Sequence, residues 1–381
     1  MLKTNTSALG VIFSNTYDAL VPELVNVRLM ASIPFASRYR MIDFMLSSMS
    51  NCGISNIFVM VNNNYHSLMD HLGSGREWDL VRKNGGLNIF SPSAEKGSST
   101  YYTGKVDPLA DIIGLLRSQK EKYVVITDSN IAANFDFNAM IQAHIESGAD
   151  VTCAYTEESL PESALKTKDN TKGFYYTYKI EDGRIKKIFV NNRDAGVQNF
   201  GMNIYVVDRE LLISKIDNAF VHGKESFERD ILIPEIESMN IQGYKFDGYA
   251  ARISSIKSYF DENMKLLDDY NLDALFSPAP VYTKIRDDNP TRYVSGASCV
   301  NSMVADGCVI EGEVENSIIF RGVKVGKGAK VKNCILMQDT VLEAGACVEY
   351  LITDKNVHIT AGKEMKGTDS FPFYIAKNHT V

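Results

Sequence analysis

The sequence predicts an α/β domain built of parallel βαβ units, followed by a parallel β-helix. Three observations predict it. Short, continuous apolar runs alternate with amphipathic stretches through the first half of the chain. Turn-forming, proline-containing sequence interrupts that rhythm near residue 280. Beyond it the sequence repeats with a period of 17 residues.

The apolar runs come first. Residues 8–13, 56–61, 123–127 and 150–155 read as buried strands, apolar throughout rather than in alternation, as strands covered on both faces require. Helical patterns over residues 42–52, 109–119 and 138–146 separate them. Strands alternating with helices define βαβ units. The rhythm then changes: residues 174–180, 185–191 and 200–207 read as a meander, with Glu181-Asp-Gly183 as a turn. Helices are expected at residues 211–216, 226–236 and 256–267. Ser277-Pro-Ala-Pro280 and Asp287-Asp-Asn-Pro290 then break any helix. The expected organisation is a domain over 1–276, a linker over 277–290 and a repeat domain over 291–381.

In the repeat domain, Glu315-Asn-Ser-Ile-Ile, Lys332-Asn-Cys-Ile-Leu and Glu349-Tyr-Leu-Ile-Thr start 17 residues apart. A fainter copy, Asn301-Ser-Met-Val304, precedes them. Apolar residues recur at about every fifth or sixth position: Val309, Val314, Ile319, Val325, Val331, Leu336, Val341 and Ala346. A coil made of three short sides, with Gly and Asn at its corners, meets this spacing. Cys299, Cys334 and Cys347 are expected inside the coils as small hydrophobes.

Composition narrows the function. The chain has 381 residues, 45% of them hydrophobic, and a formal net charge of −7. That excludes a disordered chain and argues against phosphate-neutralising nucleic-acid binding, although one basic pocket for a small phosphate stays compatible. Residues 8–13 fall far short of the roughly 20 that a membrane-spanning helix needs. The six cysteines form no C-x-x-C pair, which reads as reduced thiols in a cytoplasmic protein.

The motif Asn26-Val-Arg-Leu-Met-Ala-Ser-Ile-Pro-Phe-Ala-Ser-Arg-Tyr-Arg-Met-Ile-Asp-Phe44 resembles the ADP-glucose pyrophosphorylase (glucose-1-phosphate adenylyltransferase) family, whose pattern runs R-A-K-P-A-V-P-F-G-G-K-Y-R-I-I-D-F. Ser226-Phe-Glu-Arg-Asp-Ile-Leu-Ile-Pro234 and the closing repeats extend the resemblance over the whole chain. The resemblance implies a sugar-nucleotidyltransferase domain of the GT-A/Rossmann-like kind, a left-handed β-helix and a tetramer. It also implies an activity, the formation of ADP-glucose and pyrophosphate from ATP and glucose-1-phosphate with Mg²⁺.

The departures from the pattern carry most information. The family's glycine-rich G-G-x-G-T-R-L loop has no counterpart in residues 11–27, which contain no Gly, Lys or Arg but do contain Asp18 and Glu23. Without glycines the backbone cannot cradle a triphosphate closely. The family's A-K-P lysine falls on Met30. Its first metal-binding Asp falls on Asp128, a remnant, and its second falls on Arg252, which cannot ligate a cation. The sugar-phosphate lysine falls near Asn192, with Arg193 beside it. Tyr101-Tyr-Thr-Gly-Lys-Val-Asp-Pro108 keeps Gly104 and Asp107 of W-Y-x-G-T-A-D-A, while Lys105 replaces Thr. Tyr102, Gly104, Asp107, Asn192 and Met202 are the positions that the family would use to bind substrate.

No catalytic set is therefore intact. The pattern resembles the non-catalytic, D-type subunits of bacterial glycogen biosynthesis, which pair with a catalytic subunit in a heterotetramer and modulate it. The resemblance then implies no cofactor for this chain itself, Mg²⁺ in the catalytic partner, and phosphorylated small-molecule effectors. A competing reading is a competent adenylyltransferase with a rebuilt site. A third is an acyltransferase with His358 as base. Structural readings stand beside these. Asp128 is expected to cap a turn, and Arg40 to pair with Asp43. Tyr65, His66 and His71 are expected in a polar loop. Arg252 either pairs with Asp128 or lies solvated at the surface. Lys172, Lys179, Lys186 and Lys187 are expected on solvated faces, and Asn84-Gly-Gly86 with residues 91–99 in a loop.

Overall fold

A computed structural model describes residues 7–92, 102, 104–159, 175–194 and 196–381. Nine main-sheet strands follow one another along the chain: β1 (Ala8–Phe13), β2 (Asn56–Met60), β3 (Gly86–Phe90), β4 (Tyr123–Asp128), β5 (Val151–Ser159), β6 (Tyr176–Glu181), β7 (Arg184–Val190), β8 (Val197–Asp208) and β9 (Ile241–Lys245). They lie side by side in the order β3-β2-β1-β4-β8-β5-β9-β7-β6. The first four are mutually parallel, and β8 enters antiparallel between β4 and β5.

Successive β1 residues alternate between two apolar layers. Ala8 and Ile12 join one layer with Ile42, Met45 and Met49 of α1 (Met41–Asn51); Leu9, Val11 and Phe13 join the other with Leu109, Leu116 and Ile213. Burial on both faces accounts for the continuous apolarity of these strands.

The closing segment is a left-handed parallel β-helix of three five-stranded sheets. Val314, Val331 and Val348 stack in register along one sheet, and Ile319, Leu336 and Thr353 along another. The corner after each strand of the Val314 sheet needs a left-handed backbone, supplied by Asn316, Asn333 and Tyr350 at φ 44°, 50° and 50°.

Details of the repeat need correction. Val309 and Val341 are only partly buried, and their neighbours Ile310 and Leu342 point inward. Cys334 is interior, but Cys347 lies in the outward row beside Lys330. Cys299 is in register with inward Val314 yet exposed, because no coil precedes it. Cys308 is buried in its stead.

The two parts share a core. Tyr17, Val21, Leu24, Met30 and Phe35 cluster with Ile318, Phe320, Ile335 and Ile352 of the β-helix. Residues 277–290 between them carry no helix or strand.

Other expectations shift as well. Gly86 opens β3 instead of lying in a loop, and residues 93–99 and Lys172 lie outside the described residues, as does Phe174 at the start of the expected meander. Tyr65 and His66 open α2 (His66–Leu72) rather than a loop. Lys179 and Lys187 are exposed as expected, with Lys179 beside Glu181. Among the described residues no helix is long and apolar enough to cross a membrane.

Candidate functional site

The strand order reverses between β1 and β4, so the carboxyl ends of these two strands open onto the crevice where α/β folds bind ligands. Phe13 and Asp128 are register partners there. The loop leaving β1 crosses this crevice, and its conformation decides what can enter.

That loop is not a cradle. Residues 14–29 fold into short helical turns, Asp18–Leu20 and Pro22–Val25. Their apolar side chains turn inward: Tyr17 is 5% exposed, Val21 and Leu24 are fully buried. Met30, at the position of the family's lysine, lies in the same core at 1% exposure. Its backbone N–H donates to Asp18 Oδ1 at 2.8 Å, so a carboxylate of the chain occupies that donor. Burial pushes the Asp18 carboxyl up to about 7.

Asp128 ends β4 and is 2% exposed. It caps no turn, contrary to the sequence expectation. It accepts from Thr16 Oγ1 at 2.8 Å and pairs through Oδ2 with Lys105 Nζ at 3.0 Å. Lys105 Nζ also meets Glu228 Oε1 at 2.6 Å. Glu228 projects inward from a single π-turn, Glu228–Leu232, and accepts from Tyr205 Oη at 3.0 Å and Ser226 Oγ at 3.2 Å. Burial opposes every charge in this group. Even so, Asp128 and Glu228 hold the Lys105 ammonium well above its ordinary value, and Lys105 holds Glu228 below the usual carboxylate range. Asp128 stays above its ordinary value, because burial outweighs the attraction of Lys105.

Arg252 is neither paired with Asp128 nor solvated. It ends the short strand Ala250–Arg252 at 8% exposure, stacks over the Phe200 ring at 3.7 Å and donates to Gly201 O at 3.0 Å. Its carboxylate partner is Glu158 at 3.2 Å.

Mg²⁺ does not fit these residues. One carboxylate of the expected pair is replaced by a guanidinium, and the other already faces an ammonium. Among the described residues no cluster of three His, Cys, Asp or Glu is arranged to hold a metal.

The positions matched to substrate binding are mostly engaged in structure. Tyr102 Oη donates to Asp111 at 3.0 Å, and its backbone pairs with the Asn62 side chain. Asn192 Nδ2 donates to Gln198 at 2.9 Å. Met202 is buried within β8. Asp107 lies in the first turn of the helix Val106–Asp111. Gly104 allows a close approach: a Cβ there would lie 2.2 Å from Glu225 O. Gly104→Ala is therefore expected to lower the melting temperature measurably in a thermal scan, because backbone must move to admit the methyl.

Two expected polar partners are also replaced. Asp43 does not pair with the Arg40 side chain. It caps α1 by accepting from Arg40 N–H at 2.9 Å and bonds His71 Nε2 at 2.6 Å. The Arg40 guanidinium donates to Ser67 O at 2.6 Å. His358, the base of the acyltransferase reading, is bound to Glu343 at 2.8 Å.

Sequence reasoning passed over a basic cleft between the two parts. Its volume is about 390 Å³, and its lining includes Arg38, Arg40, Lys284, Arg286, Arg321, Lys355 and Lys377 against Asp70 and Asp339. Arg321 is 8% exposed, and its Nε has no hydrogen-bond partner. Burial, with Arg40 and Arg28 near, pulls the Lys355 ammonium down to about 7. These residues are scattered over more than 300 positions, so no local run of charge marks them.

A nucleotidyltransferase-type α/β domain joined to a hexapeptide-repeat β-helix is thus the class that fold and site define. A nucleotidyl transferase family model matches residues 26–163, and a model of the GlmU-like C-terminal hexapeptide matches residues 284–371. The chain is 34% identical over 376 residues to the glycogen biosynthesis protein GlgD of Bacillus subtilis, covering 98% of this chain and 96% of that protein. It is 36% identical over 374 residues to GlgD of Geobacillus stearothermophilus, covering 98% and 97%. It is 31% identical over 306 residues to the glucose-1-phosphate adenylyltransferase of the latter organism, covering 79% and 77%. The chain belongs to the family of GlgD proteins and glucose-1-phosphate adenylyltransferases.

Proposed function

We propose that this protein is a regulatory, largely non-catalytic subunit of ADP-glucose pyrophosphorylase in glycogen biosynthesis. It would act in the cytoplasm on a catalytic partner, within a heterotetramer in which the partner carries Mg²⁺. One observation carries the reading: the segment that should cradle a triphosphate is a packed plug, with Tyr17, Val21 and Leu24 buried beneath it. An enzyme cannot stabilise a departing pyrophosphate through a loop whose residues 11–27 hold no glycine, lysine or arginine and whose next residue, Arg28, is buried against Asp354. The basic cleft fits a phosphorylated effector, since seven lysine and arginine side chains line it against Asp70 and Asp339.

Purified protein given ATP, glucose-1-phosphate and Mg²⁺ is expected to release no pyrophosphate. Mixed with a catalytic adenylyltransferase subunit, it is expected to change that subunit's rate or its effector response. Turnover by this chain alone at the partner's rate would refute the proposal.

A further inference from the structure

We infer that Lys105 is the resident cation of this core, its ammonium taking at Asp128 the place of the divalent ion that the family's metal ligand would hold. The geometry around Lys105 is the same whether or not the chain regulates a partner. Asp128 is the residue that the motif resemblance matches to the family's first metal ligand. Its Oδ2 is 3.0 Å from Lys105 Nζ, and Glu228 Oε1 is 2.6 Å from the same atom. All three side chains are at most 5% exposed. Two ionised carboxylates buried this close need a positive charge between them or must take up a proton; here Lys105 supplies the charge. Thr16 donates to Asp128 Oδ1, and Tyr205 and Ser226 donate to Glu228, while among the described residues Asp128 Oδ2 accepts no hydrogen bond and faces Lys105 through the ion pair alone. The cage is therefore closed by a covalently tethered cation, 123 residues in sequence from Glu228, and needs no ion from solution.

A metal ion and an ammonium differ in one testable respect, because only the metal can be removed or added. The wild-type protein is expected to bind no Mn²⁺ at Asp128: titration of Mn²⁺ followed by its electron paramagnetic resonance should give the same curve for wild type and D128N. Its melting temperature should not respond to EDTA or to millimolar Mg²⁺. In K105T the ammonium is replaced by a short hydroxyl of the kind that the family carries there. That variant is expected to melt several degrees lower in EDTA, to recover on adding Mn²⁺, and to bind one Mn²⁺ per chain that K105T/D128N loses. If K105T refolds only with Mn²⁺ present, the inference is supported equally. K105M, which fills the volume without charge, should be destabilised and gain nothing from Mn²⁺. The inference fails if wild type binds Mn²⁺ in an Asp128-dependent way. It also fails if K105T is as stable as wild type in EDTA, or neither folds nor recovers with Mn²⁺.

Discussion

Arg28→Ala is expected to destabilise the protein by about 3–5 kcal/mol, the range for removing one partner of a buried ion pair. Arg28 and Asp354 are each no more than 2% exposed. One guanidinium nitrogen of Arg28 meets both Asp354 oxygens, at 2.6 and 2.9 Å, and another donates to Leu24 O at 3.2 Å. The pair joins the plug to the β-helix. Tyr374 reinforces the joint by donating to Asp354 Oδ2 and lying within 2.9 Å of Glu23 O. With the arginine gone, Asp354 is left buried with hydroxyl and amide donors but no cation. The loss should appear as a lower midpoint in urea unfolding. Hydrogen exchange should speed up in residues 18–29 before the rest of the domain, because those residues lose their anchor. Arg28→Met with Asp354→Leu removes both charges and should recover most of the loss. An unchanged midpoint in Arg28→Ala would show that the pair does not hold the two parts together.

The fold was legible where the sequence repeats a physical requirement. Each coil of the β-helix must place a small apolar residue inside and a left-handed residue at the corner, so Val314, Val331 and Val348 announce one another at a spacing of 17. The apolar runs of β1, β2 and β4 are equally plain, because both faces of each are covered. Strand order is another matter. Nothing local says that β8 slips between β4 and β5, since that pairing joins segments far apart in the chain.

The site was half legible for a related reason. Motif positions located Met30, Asp128 and Arg252, and the missing glycines pointed to a disabled loop. The side chains that answer those losses lie far off in sequence. Lys105 was visible only as a departure from a motif, and its partners Asp128 and Glu228 are brought to it by β4 and by a π-turn. Arg252 finds Glu158 across 94 residues. A buried charge must be neutralised, but the chain alone does not say by whom.

The cleft should bind a divalent anion more weakly as pH rises through neutrality. Lys355, with its ammonium drawn down to about 7 by burial and by Arg40 and Arg28, is the group that titrates. The sign follows from which form binds. A divalent anion favours the charged lysine and raises its pKa in the complex, so above pH 7 binding must take up a proton. Below pH 7 the lysine is already charged and affinity is flat. Sulfate is the suitable probe, because its own charge does not change in this window. Its association constant is expected to fall about tenfold from pH 6 to pH 8, the factor by which the charged fraction of a group with that pKa declines. His71 also lines the cleft, but burial lowers its pKa from the ordinary 6.5, so it titrates on the acid side of Lys355. Calorimetry in two buffers of different ionisation enthalpy measures the proton uptake directly. Lys355→Met should bind sulfate more weakly at pH 6, with a flat profile to pH 8 and no proton uptake. Arg321→Met should weaken binding at every pH and leave the slope unchanged. A flat profile in the wild-type protein would remove Lys355 from the site.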